Sequence, residues 1–124
     1  GDTGDDAIEH SDYLAQLWQH TAPLVEQGSL QGIFIEASYQ NNRPDDQLYG
    51  HLTPRLVISN MRTLRQHLIN PDALQSVTMF ITHIKPEFHS SLNHQPRIIQ
   101  EEISDLRPWV KNVIIPQQGE RYLF

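Results

Sequence analysis

The chain has 124 residues, enough for one ordinary domain, and it contains no cysteine, so disulfides and thiolate chemistry are excluded and any metal site must use His, Asp, Glu and water. The formal net charge of -6 disfavours a protein that binds nucleic acid by following its phosphates, although a small anionic substrate held by metal ions is compatible with it. No apolar run reaches the roughly 18 to 20 residues of a membrane-spanning helix, so we expect a soluble, cytoplasmic or periplasmic protein with neither a nucleic-acid nor a membrane partner.

The first predicted element is a helix from about residue 11 to 27, which follows ten turn-rich and acidic residues. Its apolar positions could share one helical face, and they are Leu14, Leu17, Trp18 and Val25. Gly28 ends this helix. The apolar run at 33–35 has the length and the β-branched content of a short buried strand, so we expect a sheet to begin there.

A polar loop over residues 38–53 follows this strand and is too long for an ordinary connection. Loops of more than about 12 residues inside a compact domain are uncommon and usually functional. The loop ends with Gly50 and His51, next to a second helix for which Thr53 is the expected cap and Pro54 the first residue. The apolar positions of that helix recur at spacings of three and four, and they are Val57, Met61, Leu64 and Leu68.

Two more strands and one more helix complete the predicted pattern. A second strand covers 77–81 and is followed by Thr82 and His83; a third helix covers 96–106, and a third strand 110–115. The third helix would bury Ile99, Ile103 and Leu106. This alternation predicts one α/β unit over residues 1–124, in which helices cover a sheet, and it leaves the direction of the strands open.

Several polar side chains lie where predicted segments end: Asp2, Glu36, His51 and His83. In open α/β sheets, ligands collect beyond the carboxyl ends of the strands, so such positions favour a functional site. Each residue also has a simpler interpretation. Asp2 in Gly-Asp-Thr-Gly suits a turn, and a lone histidine after a strand is commonly structural. Arg43 and Lys85 could contact an anion, yet single basic loop residues are usually only solvated. These residues by themselves support an α/β domain without a defined function.

Four segments, taken in order, carry a resemblance to a known family. They are the Gly-Asp-Thr-Gly turn at 1–4, the stretch from Ile-Glu-Ala-Ser-Tyr to Leu-Tyr-Gly-His-Leu-Thr-Pro at 35–54, Ile-Thr-His-Ile-Lys-Pro at 81–86, and the tail at 116–122. Together they resemble the second half of the class II cyclic-nucleotide phosphodiesterases, which have the metallo-β-lactamase fold. The resemblance spans essentially the whole chain, and it implies the C-terminal half of an αββα sandwich.

The resemblance also implies an activity and its residues. A cyclic-nucleotide substrate such as cAMP would be hydrolysed at its 3′ phosphoester bond to a 5′-nucleotide, with two divalent metal ions, zinc foremost and manganese or magnesium as other candidates. Asp2 and His83 would be metal ligands, His51 the general acid for the leaving oxygen, and Glu36 the residue that orients His51 or a ligand. The residues implied for binding phosphate, ribose or base are Ser38, Asn42, Arg43 and Asp45.

One departure from the family pattern is as informative as the match. The His-x-His-x-Asp-His cluster, which supplies most of the family's metal ligands, does not occur in these 124 residues. We therefore expect an incomplete metal site, apolar faces that the missing N-terminal half or a second chain would cover, and no activity of this chain alone. Self-association into a homo-oligomer is left open.

Two other interpretations remain open from the sequence. In the first, the chain is a noncatalytic interaction domain whose long loop binds a protein partner and whose histidines are structural. In the second, it belongs to a nuclease of the same fold, because the tRNA 3′-processing endonucleases share the order Gly-Asp-Thr, Glu-Ala, His, Thr-His but not this loop.

Overall fold

Helices and strands alternate along the computed structural model, which describes residues 4–85, 94–117 and 119–122. The elements within these ranges are α1 (Asp6–Glu9), α2 (Tyr13–Glu26), β1 (Gly32–Glu36), α3 (Pro54–Gln66), β2 (Thr78–Thr82), α4 (His94–Glu102) and β3 (Asn112–Ile114). Short 3-10 turns lie at Asp45–Gln47, Pro71–Ser76 and Ser104–Leu106. The predicted order of three long helices and three strands is therefore confirmed.

The three strands form one parallel sheet in the order β1, β2, β3. Phe34 of β1 lies opposite Phe80 of β2, which lies opposite Ile114 of β3. At the end of the first pair, Glu36 lies opposite Thr82. The strand direction, which the sequence left open, is thus parallel, and the segments that follow β1 and β2 leave the same edge of the sheet.

One face of the sheet packs against the helices. The core joins the alternate strand residues Ile33, Ile35, Met79, Ile81 and Val113 to apolar side chains of α2, α3 and α4. Phe80 lies on the opposite face, where its ring stacks on that of Phe34 with 4.3 Å between centroids and meets Tyr122 edge-on at 5.4 Å. Phe34 nevertheless stays 66% exposed. An exposed aromatic ring on this face agrees with a sheet whose second side is incompletely covered.

Helix α2 differs from the prediction at one apolar position. Leu14, Trp18 and Val25 are buried, but Leu17 is 49% exposed. At 3.6 residues per turn, Trp18 and Val25 lie within about 40° of Leu14, whereas Leu17 lies about 60° away on the other side. The prediction that Leu17 belongs to the buried face was therefore wrong.

Helix α3 begins where the sequence predicts, with Pro54 as its first residue and Thr53 as its cap position. Val57, Met61 and Leu64 are fully buried. The Thr53 side chain makes no capping hydrogen bond, because it is completely buried and its oxygen has no hydrogen-bond partner among the described residues. The backbone of Thr53 and the fixed φ of Pro54 define this helix start instead.

Two further differences concern short elements. Helix α1 was predicted only as a turn-rich segment; it is capped by Asp5, whose Oδ2 accepts from the N–H of Ala7 at 3.1 Å. The predicted third helix ends at Glu102, and the 3-10 turn Ser104–Leu106 continues its buried side. Its predicted core residues, Ile99, Ile103 and Leu106, are all fully buried.

A buried polar network joins α2, α3 and the segment before α1. The indole N–H of Trp18 donates to Oδ1 of Asn60 at 2.8 Å, and Nδ2 of Asn60 donates to Oδ1 of Asp5 at 3.0 Å and to the carbonyl of Leu56 at 2.7 Å. Asn60 is only 5% exposed. Because each of its amide groups is paired, the network satisfies polar atoms that would otherwise be costly to bury.

Candidate active site

The candidate site begins where the segments after β1 and β2 continue side by side. The N–H of Ala37 donates to the carbonyl of Thr82 at 3.1 Å, and the N–H of Lys85 donates to the carbonyl of Ser38 at 3.0 Å. Backbone pairing thus extends past the ends of both strands. It brings the side chains of residues 36–38 and 83–85 to the carboxyl edge of the sheet, as the sequence predicts.

The long loop returns to its own starting point. The N–H of Ser38 donates to the carbonyl of Leu52 at 2.9 Å, so the two ends of the loop are joined. Two consecutive residues with positive φ, Tyr49 at 51° and Gly50 at 79°, turn the chain immediately before His51. Glycine takes this conformation without strain, whereas a tyrosine there is unusual and such strain concentrates at functional sites.

Glu36 and His51 form a buried pair at this junction. Oε2 of Glu36 lies 2.8 Å from Nδ1 of His51, and both residues are 4% exposed. The hydroxyl of Ser38 donates to the same carboxylate oxygen. When the Nδ1–H of a neutral His51 donates a hydrogen bond to Glu36, the lone pair of the ring lies on Nε2. The sequence had assigned Ser38 to substrate binding; in the structure it contacts Glu36.

Lys85 contacts the other ring nitrogen of His51. Its Nζ lies 2.9 Å from Nε2 of His51, so both nitrogens of this imidazole have a protein partner. From the sequence, Lys85 could contact an anion, although a single basic loop residue is usually only solvated. Its contact with His51 follows from its position two residues after His83, where the pairing of the two segments directs it toward His51.

His83 is the exposed histidine of the group. It follows β2 with φ at 56°, and its ring centroid lies 5.2 Å from that of His51. Glu36, His51 and His83 each offer a ligand atom, and these atoms lie within 4.8 Å of one another, so the three could hold a metal ion. A cation bound at Nε2 of His51 would, however, displace the ammonium of Lys85, which leaves His83 as the more accessible ligand.

The other predicted site residues are placed differently. The guanidinium of Arg43 lies 4.1 Å from the ring centroid of Tyr39, and that ring meets His51 edge-on at 5.9 Å. Asn42 is exposed. Asp45 forms an ion pair with Arg55 at 2.7 Å in which both side chains are more than half exposed. Asp2 lies outside the described residues. The structure thus brings together Glu36, Ser38, His51 and His83. Arg43 is separated from His51 by the ring of Tyr39.

Comparison with known proteins decides the family. Residues 1–119 match the family model of the class-II cAMP phosphodiesterases. The chain belongs to this family. It is 35% identical over 125 residues to a 3′,5′-cyclic-nucleotide phosphodiesterase of Aliivibrio fischeri, a match that covers all of this chain and 37% of that protein. It is 32% identical over 124 residues to a probable 3′,5′-cyclic-nucleotide phosphodiesterase of Yersinia pestis, of which the match covers 36%.

The fold of this class-II phosphodiesterase chain also has a solved counterpart. It is similar to the crystal structure of unliganded yeast PDE1, with a TM-score of 0.70 and 27% identity over 86% of this chain and 30% of the yeast chain. The predicted α/β fold of the metallo-β-lactamase type is thereby supported. The chain spans little more than a third of the length of the bacterial relatives named above. Within the described residues, no helix has both the length and the apolar character needed to cross a bilayer.

Proposed function

We propose that this chain is the C-terminal part of a metal-dependent 3′,5′-cyclic-nucleotide phosphodiesterase that hydrolyses the 3′ phosphoester bond of cAMP to give a 5′-nucleotide. The observation that supports this most is the buried Glu36–His51 pair next to His83 at the carboxyl edge of a parallel sheet, in a chain of this family. The cyclic-nucleotide substrate is proposed from the similarity to the two bacterial enzymes, and cAMP from the family. A cytoplasmic or periplasmic site of action is also part of the proposal.

The ligands available fit a hard or borderline divalent ion. The chain has no cysteine, and its candidate ligands are an exposed imidazole, His83, and a carboxylate, Asp2. We assign these two residues to a site for two divalent ions, zinc foremost, with manganese or magnesium as alternatives. Such ions, held by Asp2 and His83, would lower the pKa of water near the scissile phosphate and stabilise charge on the phosphoryl oxygens.

His51 has the surroundings of a general acid rather than those of a metal ligand. Its Nδ1 is held by Glu36 and its Nε2 faces Lys85, so no lone pair is directed at open space for a metal. To act as an acid, His51 would first take up a proton on Nε2, which accepts from Lys85 in the free site. This proton would then pass to the departing ribose 3′-oxygen, and the carboxylate of Glu36 would stabilise the imidazolium that precedes the transfer. Such transfer contributes on the order of 10²- to 10⁴-fold to a rate.

The remaining residues are assigned by their place relative to this pair. Ser38 holds the carboxylate of Glu36 and so acts on the substrate through His51. Arg43, stacked on Tyr39 beside His51, is placed to bind phosphate or ribose. Asn42 and Asp45, farther out on the exposed part of the loop, remain candidates for the base.

The decisive experiment compares this 124-residue chain with the full-length protein. Each is supplied with manganese, magnesium or zinc, and release of 5′-AMP from cAMP is measured. We expect turnover by the full-length protein and none by this chain alone, because the His-x-His-x-Asp-His cluster is absent from it. Turnover by this chain would overturn the idea of missing ligands.

The same assay separates the two alternatives. A full-length protein that cleaves precursor tRNA but no cyclic nucleotide would support the nuclease. A protein that hydrolyses neither, and keeps its protein partner when His51 and His83 are both replaced by alanine, would support the interaction domain. Joint loss of cAMP hydrolysis and of metal in that double variant supports the phosphodiesterase.

A further inference from the structure

Among the described residues, the lysine ammonium inside the candidate site has no carboxylate partner. Nζ of Lys85 is 2.9 Å from Nε2 of His51, and among the described residues it forms no ion pair. The nearby carboxylate, Glu36, is engaged by His51 and Ser38. A partly buried cation whose charge is not compensated by the protein favours an anionic ligand.

The fold holds the backbone at Lys85 in place, and this limits where its ammonium can lie. The N–H of Lys85 donates to the carbonyl of Ser38, and the positive φ of His83 turns the chain just before it. Tyr39 lies beneath, with its ring centroid 5.5 Å from Nζ of Lys85 and 4.1 Å from the guanidinium of Arg43. Two cations therefore border one aromatic ring next to His51, in a chain whose net charge is -6.

We propose that Lys85 is a substrate-contacting residue. Its ammonium, which donates to Nε2 of a neutral His51 in the free site, binds an oxygen of the cyclic nucleotide's phosphate, and Nε2 takes up from solvent the proton that it later gives to the leaving oxygen. An ammonium has three N–H donors, and His51 takes one, which leaves donors for an anion. The contact places the phosphate within reach of the imidazole that is to protonate the leaving oxygen. This inference rests on the proposed phosphodiesterase function, and it adds to that function the residue that binds the substrate's charge.

The test uses Lys85→Met in the full-length, metal-loaded protein, because methionine keeps most of the side-chain length and removes the charge. The loss of one charge-assisted hydrogen bond lowers kcat/KM for cAMP by about 10- to 100-fold. Lys85→Arg, which keeps a cation, restores a large part of the loss. Metal content, measured by elemental mass spectrometry, stays at the wild-type level in both variants.

The matched control is Lys111→Met, since Lys111 is the other lysine of the chain and is exposed before β3, at the opposite edge of the parallel sheet. It leaves kcat/KM unchanged. A Lys85→Met variant with wild-type kcat/KM overturns the proposal. So does a loss of activity in step with a loss of bound metal, because Lys85 would then support the metal site and not the substrate.

A second measurement keeps this inference separate from the proposed function. Binding of inorganic phosphate is followed through the imidazole ¹⁵N signals of His51 and by calorimetry, neither of which requires turnover. We expect Lys85→Met to weaken phosphate binding about tenfold or more, and Lys111→Met to leave it intact. If the wild-type protein does not hydrolyse cAMP but shows this difference, the proposed function fails and the anion site stands. Equal phosphate affinity in wild type and Lys85→Met overturns the anion site.

Discussion

Glu36 and His51 are 15 positions apart in sequence, yet Oε2 of the first lies 2.8 Å from Nδ1 of the second inside the protein. The contact exists because β1 places Glu36 at the carboxyl edge of the sheet and the loop that follows closes on itself through Ser38 and Leu52. A buried carboxylate beside an imidazole fixes the orientation of the ring and the nitrogen that faces outward. The proposed chemistry of this chain depends on that orientation.

Replacing His51 by alanine in the full-length protein should lower kcat for cAMP by about 10²- to 10⁴-fold, because the leaving oxygen loses its proton donor. Bound metal, measured by elemental analysis, should not change. His67→Ala is the matched control, since His67 is exposed at the end of α3. A His51→Ala protein that lost its metal together with its activity would show that His51 is a ligand.

Replacing His83 by alanine should weaken metal binding and leave the proton donor in place. We expect the full-length protein to bind the divalent ion about 10-fold or more weakly, with activity recovered in part at high metal concentration, because a ligand is missing while the proton donor remains. Calorimetric titration with zinc or manganese measures the affinity. Unchanged affinity in His83→Ala would remove His83 from the metal site, and His20→Ala provides the control for loss of an unrelated histidine.

Glu36→Gln keeps the size of the side chain and removes its charge. We expect kcat to fall by about 10- to 100-fold, because a neutral amide stabilises the imidazolium less than a carboxylate does. Glu101→Gln is the matched control, since it makes the same change at an exposed position of α4. Steady-state kinetics with a check of the thermal unfolding midpoint would separate catalysis from folding. Wild-type kcat in Glu36→Gln would exclude the orienting role.

Asn60→Ala should lower the free energy of unfolding by about 1 to 3 kcal/mol, because Trp18 and Asp5 would lose their buried amide partner. Urea denaturation followed by tryptophan fluorescence measures the change, since Trp18 is part of the network. Ser59→Ala, one position earlier on the exposed side of α3, should change the stability by less than about 0.5 kcal/mol. Equal stability of the two variants would mean that the network contributes nothing.

The parts of the fold that the sequence predicts are those with strong periodicity. The α3 core and the buried run Ile99, Ile103 and Leu106 were predicted because helix spacing repeats over several turns. Helix α1 has four residues, too few for a period, and the position of Leu17 was misjudged because a single helical face has no sharp edge in sequence. Strand direction depends on pairing across the chain, which no local pattern records.

Some residues of the candidate site were likewise predicted from the sequence, and others were not. Glu36, His51 and His83 were marked by their positions at the ends of predicted segments and by the resemblance, and the structure brings all three together. Lys85 was passed over because a single basic residue in a loop is usually solvated, and only the pairing of the segments after β1 and β2 directs it to His51. The contact of Ser38 with Glu36 depends likewise on a loop conformation that sequence does not specify.

We propose that His83 binds metal while His51, held by Glu36, does not. A crystal structure of the full-length protein grown with manganese or zinc, with the ions located by their anomalous scattering, tests it most directly. We predict a metal peak about 2.0–2.2 Å from a ring nitrogen of His83 and from a carboxylate oxygen of Asp2, with His51 still bonded to Glu36. A metal ion coordinated by His51, or one bound away from His83, would contradict the account.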